Sequence, residues 1–473
     1  MTAAYELGKL GHKTVIFERM TELGGLASTF QVEPGVPLER GYHHWFTSDT
    51  HVVAQMQELG LGDRVQWIPS KTGWFEQGKI WSMVSPSDLL KLGTIPLIDR
   101  LRLGAATAYL TYLQRDKKNL YKYESITAHD WWKKYTGDTV WDKVWGPMFR
   151  GKFGARADEV PMVWHWFKIV LRIGSRRGLN KEELGYPRGS FQVLIDALEK
   201  AIKQKGAIIL KGATVKRVVV ENNVACGIEL AEDENTRAAF ARVGAIHESP
   251  LQESPLQESP LQESPLQMNE RGYIPFDRVY SSAPSFATLK FVHELPSDFV
   301  AKMNEAKYMG AVLIILKLKQ QMTPWYWLNI ADRSMPFVAT IEQTNFIPPE
   351  VYNNKRIMYV SNYLDAASPY FQMSREELFN AYVPHLKKLN PNFTPDWVEE
   401  FWHFKEAAAQ PVFPLRYSQK IPPLRTPIEN FYLGNTTQIY PEDRGTNYSV
   451  RLGQDIARLI DADTKSGGWG NNS

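Results

Sequence analysis

Residues 3–30 read AAYELGKLGHKTVIFERMTELGGLASTF, and the order of elements in this stretch decides the fold. Ala3 to Leu10 is a run of good helix formers, with Ala3, Ala4, Leu7 and Leu10 on one apolar face. Gly11 stands where a helix ends on a residue of positive φ. Thr14 to Phe17 is a short, nearly continuous apolar run, as in a parallel strand covered on both faces. Glu18 follows at the strand's carboxyl end, where a dinucleotide-binding βαβ unit places an acid on the adenosine ribose. A Gly24-Gly25 loop comes next. The stretch reads as the second half of such a unit. A first strand and a G-x-G-x-x-G turn are expected ahead of it, and Met1 falls just past the place where that turn would end. One open slot in the parallel sheet, and weaker cofactor binding than in a complete unit, are the matching expectations.

A chain of 473 residues, 43% of them hydrophobic, can bury a large core and is expected to form two domains. A net charge of +3 gives no reason to expect nucleic acid as a partner. The single cysteine, Cys226, excludes an internal disulfide framework and reads as a buried structural thiol in the Val224 to Ile228 run. No cationic segment followed by an apolar one opens the chain, and no window reaches about 18 uncharged apolar residues. A cytoplasmic protein is the expectation. Fifteen Trp, 21 Tyr and 22 Phe fit either heavy aromatic core packing or a pocket for a bulky apolar ligand.

Beyond the glycine loop, Gly41-Tyr42-His43-His44 reads as a polar loop that either borders a ligand or holds core histidines. Adjacent histidines cannot share one strand face, so a joint metal site is not expected. Ser48-Asp49 caps a helix ending at Gly60. Short strands are expected at 65–82, around a Gln77-Gly78 turn. From Ser87 to about Arg177 the pattern is helical. Ile98 to Gln114 joins a charged end to an apolar body, which suits either a cap packed on the core or contact with a membrane surface. Arg150 to Gly154 reads as a cationic loop among aromatics, and Gly185 to Ser190 as a second loop. Ser190 caps a helix closed by Gly206. Strands follow at 207–210 and 214–220, then a hairpin at Asn222-Asn223 into 224–230.

Glu-Ser-Pro-Leu-Gln recurs four times from Glu248 to Gln267. Proline at every fifth position forbids a regular helix or a central strand, so 246–270 reads as a disordered insertion. Asp277 to Pro284 is strand-like, as are 312–318, 356–363 and 397–404. Ser374-x-x-Glu377 is a capping box opening a helix to about Leu389, with Pro384 inside it. Asn430 to Asn435 is an apolar strand. A Pro441 to Gly445 loop leads into a last helix, with Thr446 or Asn447 as its expected N-cap.

Taken together, Glu18, the Leu23 to Ser28 loop, the Gly189 to Val220 helix–strand unit, the Asp277 to Pro284 strand and the Leu433 to Ile460 closing segment resemble the FAD-dependent amine oxidase superfamily. That group includes protoporphyrinogen oxidases, phytoene-type desaturases and monoamine oxidases. The resemblance covers almost the whole chain and is unspecific for substrate. It implies FAD as cofactor. Glu18, with Arg19 beside it, would hold the adenosine ribose. Gly24, Gly25, Ala27 and Ser28 would lie along the pyrophosphate and ribityl chain. Gly41, Tyr42 and His43 would border the cofactor, and Val215 would pair with the adenine edge. Gly434 and Asn435 would sit beside the ribityl phosphate, although many relatives carry an acid at the latter position. Gly445, Thr446 and Asn447 would aim a helix N-terminus at the flavin pyrimidine, where reduced flavin becomes anionic.

The expected architecture is α/β. An FAD-binding Rossmann-like domain lacking its first strand is built from 1–64, 186–290 and 428–465. A second α+β substrate domain, from 65–185 and 291–427, carries an antiparallel sheet and a helical cap. The expected function is FAD-dependent oxidation of an apolar or cyclic small molecule. Lys152, Arg150, His43 and Tyr440 are candidates for lining the site, and no catalytic residue or metal is assigned. The alternatives are a redox-neutral flavin mutase like the UDP-galactopyranose mutases, or an inactive truncated chain. Peripheral membrane contact and oligomeric state stay open.

Overall fold

A computed structural model describes residues 1–83, 88, 91–113, 120–174, 182–248, 266–467 and 469. The opening stretch forms helix Thr2–Lys9 and strand Val15–Glu18. That strand pairs in parallel with Ile208–Lys211, Val15 facing Ile208 and Glu18 facing Lys211. A second parallel pair joins Val279–Ser281 to Phe431–Leu433. The two pairs are separate sheets. Val15 to Glu18 are all half-buried, which corrects the expectation of a strand covered on both faces. The cause is local: the strand has one paired neighbour and otherwise lines a large cavity. Helix Thr446–Ser466 closes this half. Its Ile456, Ala457 and Ile460 pack on Ala3 and Leu7.

Helix Gln192–Gln204 buries Leu194, Ile195, Leu198 and Ile202 at helical spacing, and Ser190 Oγ accepts from the Gln192 N–H at 3.1 Å. The hairpin Val215–Glu221 to Val224–Leu230 turns on Asn222 and Asn223, both with positive φ, as a two-residue hairpin loop requires. Helix Glu234–Glu248 follows, an element with no counterpart in the sequence expectations. Residues 249–265, which hold most of the Glu-Ser-Pro-Leu-Gln repeats, lie outside the described residues, as does Ser87.

The other half is built on a seven-stranded sheet. Its order is Val398–Val412, Lys307–Leu318, Arg356–Leu364, Ala339–Glu342, Trp327–Ile330, Thr72–Glu76, Lys79–Ser82. It is antiparallel except where Trp327–Ile330 meets Thr72–Glu76 in parallel. Those two strands lie far apart in the chain, so no hairpin sets their direction. Over one end sit helices Leu97–Ala108, Ala128–Thr136, Gly146–Phe153 and Met162–Gly174, around a core of Trp132, Trp141, Phe149, Trp164 and Trp166. Among the described residues no helix is long and apolar enough to cross a membrane.

Several local expectations are corrected. Arg150 to Phe153 are the last turn of helix Gly146–Phe153 rather than a loop, because Phe149 and Phe153 bury together on one face; Gly154 ends the helix. Gly185 to Pro187 belong to strand Glu183–Pro187, paired with Val65–Pro69 and Trp45–Phe46. There glycine is needed for close approach, since a Cβ on Gly185 would stand 2.7 Å from the Trp67 ring. The final helix is capped by Gly445, because Thr446 and Asn447 point their side chains at other partners. Cys226 is half-buried and faces the cavity.

Candidate active site

One cavity of ≈ 1940 Å³ runs between the two halves. Drug-sized ligands occupy clefts of about 300–1,000 Å³, so this space has room for more than one such molecule. At one end lies Glu18, at the carboxyl end of its strand, with Oε1 accepting from the Met20 N–H at 2.8 Å. Arg19, Val215 and the Asp277 to Pro284 segment line the same end.

The glycine loop forms the next part of the wall. Gly24 has φ +113°, and a Cβ there would stand 2.6 Å from Ile195 Cδ1 and 3.0 Å from Ser28 Cα. Gly25 has φ +55° and open space where a Cβ would be. Gly25 and Ser28 line the cavity; Gly24 and Ala27 hold the turn behind them, with the Ala27 N–H donating to Gly24 O at 3.0 Å.

At the far end, Gly445, Thr446, Asn447 and Tyr448 bring the start of helix Thr446–Ser466 to the cavity, and no side chain caps its first turn. Thr446 Oγ1 accepts from Trp45 Nε1 at 2.9 Å. Gly434 and Asn435 do not line the cavity. Asn435 Oδ1 accepts from the Thr437 N–H at 2.9 Å, and its Nδ2 donates to Ala283 O at 3.0 Å. Its side chain is spent on joining two loops.

Gly41, Tyr42, His43 and His44 do border the cavity. Tyr42 shares a hydrogen bond with Ser361 Oγ at 3.2 Å, and its ring stands edge-on to Trp327. His43 Nδ1 meets Gly41 O at 2.6 Å, and burial with Arg444 nearby lowers its pKa to about 4. Burial lowers His44 to about 3 and His165 to about 3. Three neutral imidazoles result, none poised as a general base near pH 7.

Of the cationic candidates, Lys152 reaches the cavity and Arg150 does not. Two residues apart on a helix, their side chains diverge by about 200°. Tyr440 is also outside the cavity, packed edge-on against Phe413 and Tyr417. Lys152 Nζ and Lys168 Nζ each donate to Asp443 Oδ2 at 2.6 Å. Burial alone would raise Asp443, but Lys152, Lys168 and Arg444 outweigh it and hold the carboxyl well below the usual carboxylate range. Lys168, Asp443, Arg444 and His165 were not singled out in the sequence. Their signal is weak there, because Lys168 and Asp443 lie far apart in the chain. Trp74, Trp145, Phe149, Phe153, Trp164 and Trp327 line the same cavity, and Trp164 lies against Lys152 of this cluster.

Comparison with known proteins places the chain in a family. Residues 1–441 fit the family model of the flavin containing amine oxidoreductases. The chain belongs to that family. Among solved structures, it resembles a protein described as a protoporphyrinogen oxidase from Exiguobacterium sp. 255-15, at TM-score 0.69 and 12% identity, covering 98% of this chain and 96% of the other. It is similar to an oxidoreductase from Methanosarcina mazei, at TM-score 0.66 and 16% identity, covering 97% of each chain. It is also similar to cyclohexylamine oxidase from Brevibacterium oxydans, at TM-score 0.64 and 14% identity, covering 98% and 96%. At such identities these likenesses concern the fold. The 15-cis-phytoene desaturase of Glycine max is 26% identical over 184 residues, which is 34% of this chain and 30% of that protein. The match therefore spans about a third of the curated relative's length.

Proposed function

We propose that this chain oxidises an apolar or cyclic small molecule bound beside FAD in this continuous cavity. The observation that carries this reading is that continuity: the Glu18 end, the glycine loop, the bare helix start at Gly445 and the aromatic wall all border one space. Bound FAD supplies the two-electron acceptor. Glu18 would accept from the ribose hydroxyls, and Gly25 and Ser28 would lie along the phosphate chain. The first-turn N–H groups of helix Thr446–Ser466 would face the flavin, where their partial positive charge favours the reduced ring. Trp145, Phe149, Trp164 and Trp327 would hold the substrate's apolar body and exclude water. On this reading the FAD domain takes 1–64, 186–290 and 428–465, and the substrate domain takes the stretches between.

The test is anaerobic titration of the FAD-loaded full chain with cyclic and apolar candidate substrates, followed by flavin absorbance. Bleaching of the flavin in step with product supports the oxidoreductase reading. Product formed only after the flavin has been reduced in advance would instead mark a redox-neutral mutase. A chain that takes up no FAD would overturn the proposal.

A second surface bears on where the substrate comes from. Leu97, Ile98 and Leu101 on helix Leu97–Ala108 are 60%, 56% and 54% exposed, next to Arg100 and Arg102. Apolar side chains flanked by cations suit the face of an anionic bilayer. We read this helix as a peripheral membrane contact.

A further inference from the structure

Cations line several parts of the cavity, and three of them meet around Asp443. Lys152, from helix Gly146–Phe153, and Lys168, from helix Met162–Gly174, share one oxygen of Asp443. Arg444, next in the chain, donates from Nη2 to the Tyr363 hydroxyl at 3.0 Å. Three cations surround one carboxylate. Nearby acids do not restore the balance: Glu182 is held by Arg172 at 2.8 Å, and Glu442 by Arg451 at 2.7 Å. Asp49 is raised to about 6 by burial and accepts from the Phe46 N–H. Among the described residues, Asp443 Oδ1 and Arg444 Nε are buried without a hydrogen-bond partner. Buried donors left unfilled are costly. The Arg444 Nε–H calls for an acceptor and Asp443 Oδ1 for a donor, and the excess of cations over that one carboxylate suits a ligand of net negative charge. Aromatic surface is at hand, since the Lys152 ammonium lies 5.1 Å from the Trp164 ring centroid and Trp145 and Phe149 line the same wall.

We propose that Lys152, Lys168 and Arg444 form an anion clamp, and that the substrate is a ring-bearing carboxylate and not a protonated amine. The word substrate rests on the flavin reading above; the binding itself rests on this cluster. An entering carboxylate accepts the lysine N–H groups that Asp443 leaves over and the unfilled Arg444 Nε–H, while its ring covers the aromatic wall. An ammonium in the same place meets Lys168 and Arg444, and Lys152 in its protonated form, against the one carboxylate of Asp443. Burial lowers Lys152 to about 7 against the pull of Asp443, with Lys168 and Arg444 adding to the drop. A bound carboxylate raises it again, so binding draws a proton from solution near neutral pH. Burial holds His43, His44 and His165 at about 4, 3 and 3 and Asp49 at about 6, so of the titratable groups around Asp443 Lys152 is the one placed near neutral pH.

The test is calorimetric titration of the full chain, with and without FAD, using 2-naphthoate and 2-naphthylmethylamine as probes. Buffers of different ionisation enthalpy at about pH 7.5 report the proton balance. Naphthoate is expected to bind at least about tenfold tighter than the amine, with proton uptake. Lys152→Met and Lys168→Met should each weaken naphthoate by about tenfold or more. Lys152→Arg, which keeps the charge but does not titrate, should restore binding without proton uptake. Equal binding of both probes, no naphthoate binding, or binding indifferent to Lys152→Met and Lys168→Met in folded protein would overturn the clamp. FAD uptake is read separately by absorbance. FAD binding without carboxylate preference sinks the clamp alone, and carboxylate preference without FAD uptake sinks the flavin reading alone.

Discussion

Asn447 caps a helix other than its own. Its Oδ1 accepts from the backbone N–H of His51 at 2.8 Å and of Val52 at 3.1 Å, at the start of helix Thr50–Glu58. Asp49, the residue in the capping position, turns back to accept from the Phe46 N–H instead. The two helices are thereby tied at the cavity's far end. Asn447→Ala leaves two N–H groups in a buried place without an acceptor and should cost about 1–2 kcal/mol, read as a lower urea midpoint. Asn447→Asp keeps the acceptor and should cost less. An unchanged midpoint for Asn447→Ala would show that the tie carries no stability.

The glycine loop gives a graded pair of variants. Gly24→Ala combines φ +113° with a Cβ 2.6 Å from Ile195 Cδ1, and should cost about 1–3 kcal/mol. Gly25→Ala meets no neighbour at φ +55° and should cost about 1 kcal/mol, with its methyl set in the cavity. FAD affinity should then fall more, relative to stability, in Gly25→Ala. Equal stability losses would contradict this difference in packing.

Glu39 is a buried carboxyl whose oxygens accept from the Tyr186 hydroxyl at 2.8 Å and the Phe191 N–H at 2.7 Å. Burial raises its pKa from 4.5 to about 7, more than these bonds lower it. Between those values the folded chain holds a proton that the unfolded chain has released. Stability from this group is full below about pH 4.5 and declines as pH rises to about 7. Glu39→Gln should flatten the decline in urea midpoint between about pH 5 and about pH 8. Part of it remains, because Glu342 is likewise raised to about 7 by burial. Superimposable pH profiles for the two proteins would refute the assignment.

The exposed Leu97, Ile98 and Leu101 offer a test of membrane contact. Replacing all three by serine should abolish co-flotation with vesicles rich in anionic lipid, while far-UV circular dichroism and FAD uptake stay as in the parent. Burying three such side chains is worth several kcal/mol in a bilayer surface, at about 1.5–3 kcal/mol each. Flotation that survives the triple change, or a parent chain that never floats, would rule the surface out.

Local chemistry was legible from residue order wherever bonds form between near neighbours. The Ser374 and Glu377 capping box makes both of its bonds, at 2.8 and 3.3 Å. Asn222-Asn223 turns its hairpin, and the apolar run after Gly11 forms a parallel strand. Each follows from a dihedral preference or a spacing that the sequence displays directly. The order of these pieces was enough to point to the flavin-binding family.

Tertiary structure decided the rest. Whether Lys152 or Arg150 enters the cavity depends on the phase of one helix against its core, and Phe149 with Phe153 set that phase. Strand Glu183–Pro187 pairs with Val65–Pro69, and Trp45 and Trp67 from distant segments leave room for nothing larger than glycine at 185. Asn435 and Asn447 keep their expected neighbourhoods in the chain but spend their side chains on loops and helices from other segments. The Asp443 cluster joins residues 275 and 291 positions apart. No local propensity encodes such a pairing; it arises when two cap helices and the closing loop converge on one cavity, where buried charges must find partners.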